Sequence, residues 1–154
     1  MALHNVVIAD LTSLVGQRLG PTDPVKIDQD MIDSFADVTR DRQWIHVDPQ
    51  RAAQSTFGST IAHGYLTLSL AIHFFWELLD VTDAEAIINY GLEKVRFPAP
   101  LPVGRELVMY ATVNEVKAIP GGANVTSTWE LTEPGAARPA CVAQPIFRYT
   151  GGNP

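Results

Sequence analysis

At 154 residues the chain is long enough to bury one apolar core, and its 46% apolar and 18% charged residues are typical of a globular protein. The formal net charge of −6 provides no basic excess, which argues against a nucleic-acid-binding protein. The single cysteine, Cys141, excludes an internal disulfide, and nothing else in the composition indicates secretion.

The N-terminal residues have no basic segment ahead of an apolar run, so we expect no signal peptide. The longest apolar region, residues 65–76, is interrupted by polar side chains and is too short to span a bilayer. We therefore expect one cytoplasmic domain over residues 1–154, with neither a nucleic acid nor a membrane as its partner.

Residues 25–41 predict the first helix, because Asp28 is a good N-cap and apolar residues follow it at helical spacing. The apolar positions of this predicted helix are Met31, Phe35 and Val38.

The stretch RDRQWIHVD, residues 40–48, places an acid and an imidazole beside bulky apolar side chains. Asp41 falls just after the first helix. Asp48 and Pro49 are typical of the start of another helix, as N-cap and first helical residue. His46 is therefore predicted to lie in a short connection between two helices.

A third helix is predicted from Gly64 to about Leu79, and it is apolar on nearly every face. A helix that is apolar all round is a buried helix, so other elements of the chain must enclose it.

The second half of the chain supplies those elements as strands. The predicted strands span residues 86–97, 105–118, 124–133 and 140–150. Alternation in the third of these places Val125, Trp129 and Leu131 on one side. Pro145 in the last strand indicates an edge or a bulge. The sum is an α+β protein, with one buried helix and an antiparallel sheet that curls around it.

This layout resembles the hot-dog fold, in which a curved antiparallel β-sheet wraps a long central α-helix. Three stretches sharpen the resemblance: FADVTRDRQWIHVDP, GSTIAHGYLTLSL and NYGLEKVRFPAPLPVGREL. They resemble the MaoC-type dehydratase family, the (R)-specific enoyl-CoA hydratases, and most closely its nodulation protein N-like branch. The resemblance extends from about residue 20 to residue 150.

The resemblance implies an (R)-specific 2-enoyl-CoA hydratase of fatty acid metabolism, which adds water to trans-2-enoyl thioesters. Asp41 and His46 would be the catalytic dyad that activates the water. Gln43 and Trp44 stand where the family commonly has Asn and Pro, and Gln43 is a candidate substrate contact. The substrate would be an acyl-CoA or acyl carrier protein thioester, no cofactor is required, and a homodimer is expected.

Gly64 begins the predicted buried helix, where backbone N–H groups have no partner within the helix and lie at the positive end of its dipole. A thioester oxygen placed against the Gly64 N–H would be stabilised most as it becomes enolate-like. The resemblance gives this glycine the same role, and Ala62 and His63 would line the same pocket.

Simpler interpretations remain open for each residue. Asp41 could merely end a helix, His46 could be a core histidine, and Gly64 could be only a turn before a helix. The function also has alternatives, namely an acyl-CoA thioesterase or a non-catalytic acyl-thioester-binding protein. The histidines and Cys141 show no metal-ligand spacing, so no metal site is expected.

Overall fold

The structure of the protein is a computed structural model that describes residues 3–152. Residues 1, 2, 153 and 154 of the predicted domain therefore lie outside the described residues. The helices are α1 (Gln29–Thr39), α2 (Trp44–Val47), α3 (Pro49–Ala53) and α4 (Gly64–Leu78), together with a 3-10 helix at Ile8–Leu14. The strands are β1 (His4–Val6), β2 (Arg18–Leu19), β3 (Val25–Lys26), β4 (Leu79–Val81), β5 (Ala84–Arg96), β6 (Glu106–Ile119), β7 (Gly122–Thr132) and β8 (Cys141–Gly151).

Most of the strands form one antiparallel sheet with the order β2-β6-β7-β8-β5, and β3 also pairs with β6. Strands β1 and β4 form a separate parallel pair. The sheet packs against α4, which confirms the predicted α+β architecture of a sheet around one long helix.

The core between α4 and the sheet is centred on aromatic side chains. Strict alternation along β7 buries Val125, Trp129 and Leu131, as predicted. The Phe75 ring of α4 lies 5.0 Å from that of Trp129 and 5.3 Å from that of Phe147, measured between centroids. Because these contacts cross from helix to sheet, they fix the position of α4 and of the residues at its N-terminus.

Helix α1 is capped as predicted, because the Asp28 carboxylate accepts a hydrogen bond from the Met31 N–H at 2.9 Å. Of its predicted apolar positions, Met31 and Phe35 are partly buried against the core, and only Val38 is not. Ile32 and Ala36 are the buried residues, whereas Val38 is 82% exposed. Ile32 and Ala36 thus form the most buried stripe of the helix, and Met31 and Phe35 pack beside it at the rim of the core.

The last strand, β8, lies between β7 and β5, so the expectation of an edge at Pro145 is wrong. The expectation of a bulge is right. Pro145 pairs with Leu92, and the register of β5 against β8 shifts between Leu92 and Val95. The irregular pairing accommodates a residue that has no N–H to donate.

Helix α4 has nearly the predicted bounds, but it is not buried on every side. One face is exposed, with Tyr65 70% and Trp76 46% accessible to solvent. The sheet of a single chain covers only one side of the helix. Within residues 3–152, no helix is long and apolar enough to cross a membrane.

Candidate active site

The chain turns sharply where α1 ends, and Asp41 directly follows this turn. Arg40 has a φ of 66°, in the left-handed region that few non-glycine residues adopt, and it forms the C-cap of α1. The chain then enters α2, a four-residue helix that carries His46. His46 therefore lies between the two predicted helices, α1 and α3, as expected, and the connecting segment itself forms the short helix α2. Asp48 caps α3 as predicted, because its carboxylate accepts from the Arg51 N–H at 3.0 Å.

The His46 ring is buried and held at one nitrogen. Its Nδ1 lies 2.7 Å from the Ile61 carbonyl oxygen. A carbonyl only accepts, so Nδ1 carries the hydrogen, and Nε2 of the neutral ring carries the free lone pair. Burial lowers the pKa of His46 below the ordinary value of 6.5, partly offset by the bond to Ile61. The nearby His63 lowers this pKa further, and Asp41 raises it. The ring is therefore neutral at pH 7.

His63 stacks on His46, with ring centroids 3.8 Å apart and an angle of 21° between the planes. Its Nε2–H donates to the Asp41 carbonyl oxygen at 2.9 Å. Its Nδ1 is buried and has no hydrogen-bond partner among residues 3–152. His63 thus links the start of α4 to the loop that carries Asp41, and it holds one flat side of the His46 ring.

Asp41, His46 and His63 form one cluster, in which one side-chain oxygen or nitrogen from each residue lies within 4.8 Å of the others. The Asp41 side chain lies on the exposed flank of the cluster, and both rings are buried. The lone pair of an imidazole nitrogen lies in the plane of its ring. The lone pairs of two stacked rings therefore point along two separate lines and not at one shared position. This arrangement suits a shared proton or water better than a common metal ion.

Of this cluster, His46 lines a cavity of about 320 Å³, whereas Asp41 and His63 are not among the residues of its wall. Three predicted residues line it: His46, Ala62 and Gly64. The rest of the wall is mainly apolar and comprises Phe57, Ile61, Thr67, Phe97, Ala99, Pro100, Leu101 and Ala140. Gln43 is exposed and does not belong to this wall; its carbonyl oxygen accepts the His46 N–H at 3.0 Å. The structure therefore brings the imidazole and Gly64 to one cavity and leaves the Gln43 side chain outside it.

Gly64 is the first residue of α4, and no residue from 3 to 152 accepts a hydrogen bond from its N–H. The strand-like segment before it is held in place because Ala62 N–H donates to the Leu101 carbonyl oxygen at 2.9 Å. The Phe97 ring lies over Gly64, so a Cβ added to the glycine would lie 3.0 Å from three ring carbons. The N–H group is thus placed at the cavity wall without room for a larger side chain.

Cys141 does not belong to this site. It is fully buried in β8, and burial raises the pKa of its thiol to about 11. A thiol that stays protonated at neutral pH is a poor nucleophile.

Several residues that shape the site were not predicted. Ile61 holds the His46 ring, Phe97 covers Gly64, and Gln29 contacts the His46 main chain from 17 residues away. No local pattern marks them, because each acts through a contact with a distant part of the chain. The proline-rich stretch PAPLP, residues 98–102, lies between two of the predicted strands and supplies three residues of the cavity wall.

Residues 10–134 match the family model for the MaoC like domain, and the chain belongs to the MaoC-like dehydratase family. It is similar to 3-hydroxyacyl-thioester dehydratase Z of Mycobacterium tuberculosis, with 46% identity over 145 residues that cover 92% of this chain and 95% of that protein. It is also similar to Nodulation protein N of Rhizobium leguminosarum bv. viciae, with 40% identity over 132 residues, or 84% of this chain and 81% of that protein.

Solved structures show the same fold at lower identity. The R-hydratase from Pseudomonas aeruginosa superposes with a TM-score of 0.77 at 24% identity, over 97% of this chain and 89% of that one. The (R)-hydratase from A. caviae gives a TM-score of 0.72 at 23% identity, over 86% of this chain and 94% of that one. The predicted hot-dog fold and family are confirmed, as is the expected class of enzyme, a hydratase or dehydratase.

Proposed function

We propose that the protein is an (R)-specific hydratase of trans-2-enoyl thioesters, and that it catalyses the reverse dehydration of (R)-3-hydroxyacyl thioesters. The observation that carries the proposal is that His46, which lies in one cluster with Asp41, lines an apolar cavity together with Gly64, whose N–H has no partner among residues 3–152. The similarity to a protein named as a 3-hydroxyacyl-thioester dehydratase supports the reaction class.

Water activation is assigned to Asp41 and His46. His46 lines the cavity and its Nε2 has the free lone pair, so we assign to Nε2 the proton taken from a water held between the two side chains. The hydroxyl oxygen bonds to Cβ of the enoyl group, and its remaining hydrogen stays directed at the Asp41 carboxylate. His46 then returns its proton to Cα. The sum is the addition of one water, and the dyad ends in its starting state.

Stabilisation of the charge that develops on the thioester oxygen is assigned to the start of α4. Addition at Cβ moves electron density to the carbonyl oxygen, which becomes enolate-like. The Gly64 N–H and the positive end of the helix dipole stabilise that charge more than they stabilise the neutral carbonyl. This difference lowers the barrier rather than only tightening substrate binding.

The remaining candidate residues have different parts in the proposal. Ala62 forms a wall of the cavity, and His63 holds the dyad through its ring stacking and its bond to Asp41. A direct contact of His63 or Gln43 with substrate remains a prediction. For Gln43, it would have to involve a part of the thioester that extends beyond the cavity.

We also propose that two copies of the chain pair through β5. This strand ends the sheet, so one of its edges has no partner strand among the described residues. Exposed apolar side chains cluster on β5, on α4 and just after β5: Tyr65, Trp76, Ile88, Tyr90, Leu92 and Phe97. Exposed edges and apolar patches of this kind favour pairing. Sedimentation analysis should give a dimer, and substitution of Trp76 by Glu should weaken it; a monomeric wild type would contradict this part.

Product analysis with crotonyl-CoA tests the proposed reaction. A hydratase forms (R)-3-hydroxybutyryl-CoA and releases no thiol, and in the reverse direction it forms crotonyl-CoA from the (R) isomer. Release of free coenzyme A would indicate a thioesterase instead. Binding without turnover would indicate a non-catalytic acyl-thioester-binding protein.

A further inference from the structure

A circuit of hydrogen bonds surrounds His46, and Gln29 in the first turn of α1 closes it. Gln29 Nε2 donates to the His46 carbonyl oxygen at 2.8 Å, and Gln29 Oε1 accepts from the Thr60 hydroxyl at 2.5 Å. The next residue, Ile61, accepts from His46 Nδ1. The main chain and the ring of His46 are therefore both tied to the same two-residue segment.

The Thr60 end of the circuit lies where water has little access. Thr60 is 1% exposed, and Gln29 is half-buried. The second Nε2 hydrogen of Gln29 bonds to the Asp33 carboxylate at 2.8 Å, so the amide uses both hydrogens and its oxygen. An amide with three partners has one orientation, and its loss leaves the buried Thr60 hydroxyl without a ready replacement partner, whereas the exposed Asp33 carboxylate can bond to water.

We propose that Gln29 is a positioning residue that fixes the direction of His46 Nε2 in the cavity; this inference depends on the catalytic role proposed above for His46. Gln29 does not line the cavity, so it acts through His46 rather than on the substrate. Its bond to the His46 carbonyl holds the main chain while the Ile61 carbonyl holds the ring. Loss of one anchor lets the ring shift relative to Asp41 and the bound water.

The substitution Gln29→Leu removes the three bonds and keeps a side chain of similar size. We expect kcat/KM on crotonyl-CoA to fall about 10- to 100-fold, mainly through kcat, because small displacements of a reacting group reduce the rate strongly. NMR of the His46 ring should show a single Nδ1–H tautomer in the wild type and a mixture in the variant. Gln17→Leu is the matched control, since Gln17 also donates to a main-chain carbonyl, that of Ser13, but lies on the surface away from the site.

Thr60→Val removes only the hydroxyl partner of Gln29, and it carries the test if Gln29→Leu does not fold. We expect a smaller fall in kcat and a partial loss of the single tautomer. The double variant should be no slower than Gln29→Leu alone, because both changes break the same circuit.

Three results would overturn the proposal. The first is a Gln29→Leu enzyme with the kinetics of the Gln17→Leu control. The second is a fall in activity with the Nδ1–H tautomer intact, and the third is a changed tautomer with full activity. If the wild type hydrates no enoyl thioester, the proposed function fails, and the tautomer comparison still decides whether Gln29 positions His46.

Discussion

The β7–β8 part of the sheet and the segment from Asp41 to Gly64 are held in place by different interactions. In β7 the side chains alternate between the core and the outer face, and long runs of backbone pairing to both neighbours fix the register. In the Asp41–Gly64 segment, individual hydrogen bonds fix the geometry, such as the one from His46 Nδ1 to the Ile61 carbonyl oxygen. Substitutions in the sheet should therefore change stability, and substitutions in the segment should change activity.

The largest expected effect is on the sheet. Trp129→Ala removes a fully buried side chain that packs on Phe75 and Phe147, and it should lower the free energy of unfolding by about 3–5 kcal/mol. The outward-facing Thr126→Ala on the same strand should stay within about 0.5 kcal/mol of the wild type. Urea denaturation measures both. Equal losses in the two variants would contradict the predicted role of β7 alternation.

Substitution of Asp41 or His46 should reduce activity and leave stability nearly unchanged. Asp41→Asn and His46→Gln should each reduce kcat about a hundredfold or more, as expected for the loss of a general acid–base group. Their melting temperatures should remain near that of the wild type. Asp80→Asn and His4→Gln, which make the same chemical changes on β4 and β1, serve as controls. Full activity in either dyad variant would remove that residue from the mechanism.

Gly64→Ala should reduce kcat/KM about tenfold, because the added methyl group crowds both the thioester carbonyl and the Phe97 ring. A second substitution, Phe97→Ala, separates the two causes by removing the ring. We expect Gly64→Ala/Phe97→Ala to remain slower than Phe97→Ala alone. Equal rates for these two enzymes would show that the collision with Phe97 explains the whole loss.

The smallest expected effect is a shift in pH dependence. His46 must be neutral to accept a proton, and its pKa is lowered by burial, so kcat/KM should fall only when the pH drops below 6.5. His63→Gln should move this acid limb to higher pH, because it removes a neighbour that lowers the pKa of His46. A wild-type acid limb centred above 6.5 would show that the environment acts on His46 in the opposite direction.

The sequence predicted the elements that depend on local chemistry. The caps Asp28 and Asp48, the bounds of α4 and the alternation of β7 are all present in the structure. The pairing of Asp41 with His46 came from their spacing together with the family resemblance, and the structure brings them into one cluster.

The sequence did not predict features that arise from contacts across the fold. The stacking of His63 on His46, the bond from Gln29 to the His46 carbonyl and the Phe97 ring over Gly64 all join residues that are distant or not patterned locally. The exposed face of α4 was missed for another reason. Apolar composition shows that a surface needs cover, but it does not show whether the same chain provides it.

The central claim is that one water, held between Asp41 and His46, supplies the hydroxyl at Cβ and that His46 returns the proton to Cα from the same side. Hydration of crotonyl-CoA in D₂O tests this most directly, with the configuration at C2 and C3 of the product read by NMR. The account predicts an (R)-3-hydroxy product in which deuterium and the hydroxyl group have added to the same face. Addition to opposite faces, or release of coenzyme A without hydration, would contradict it.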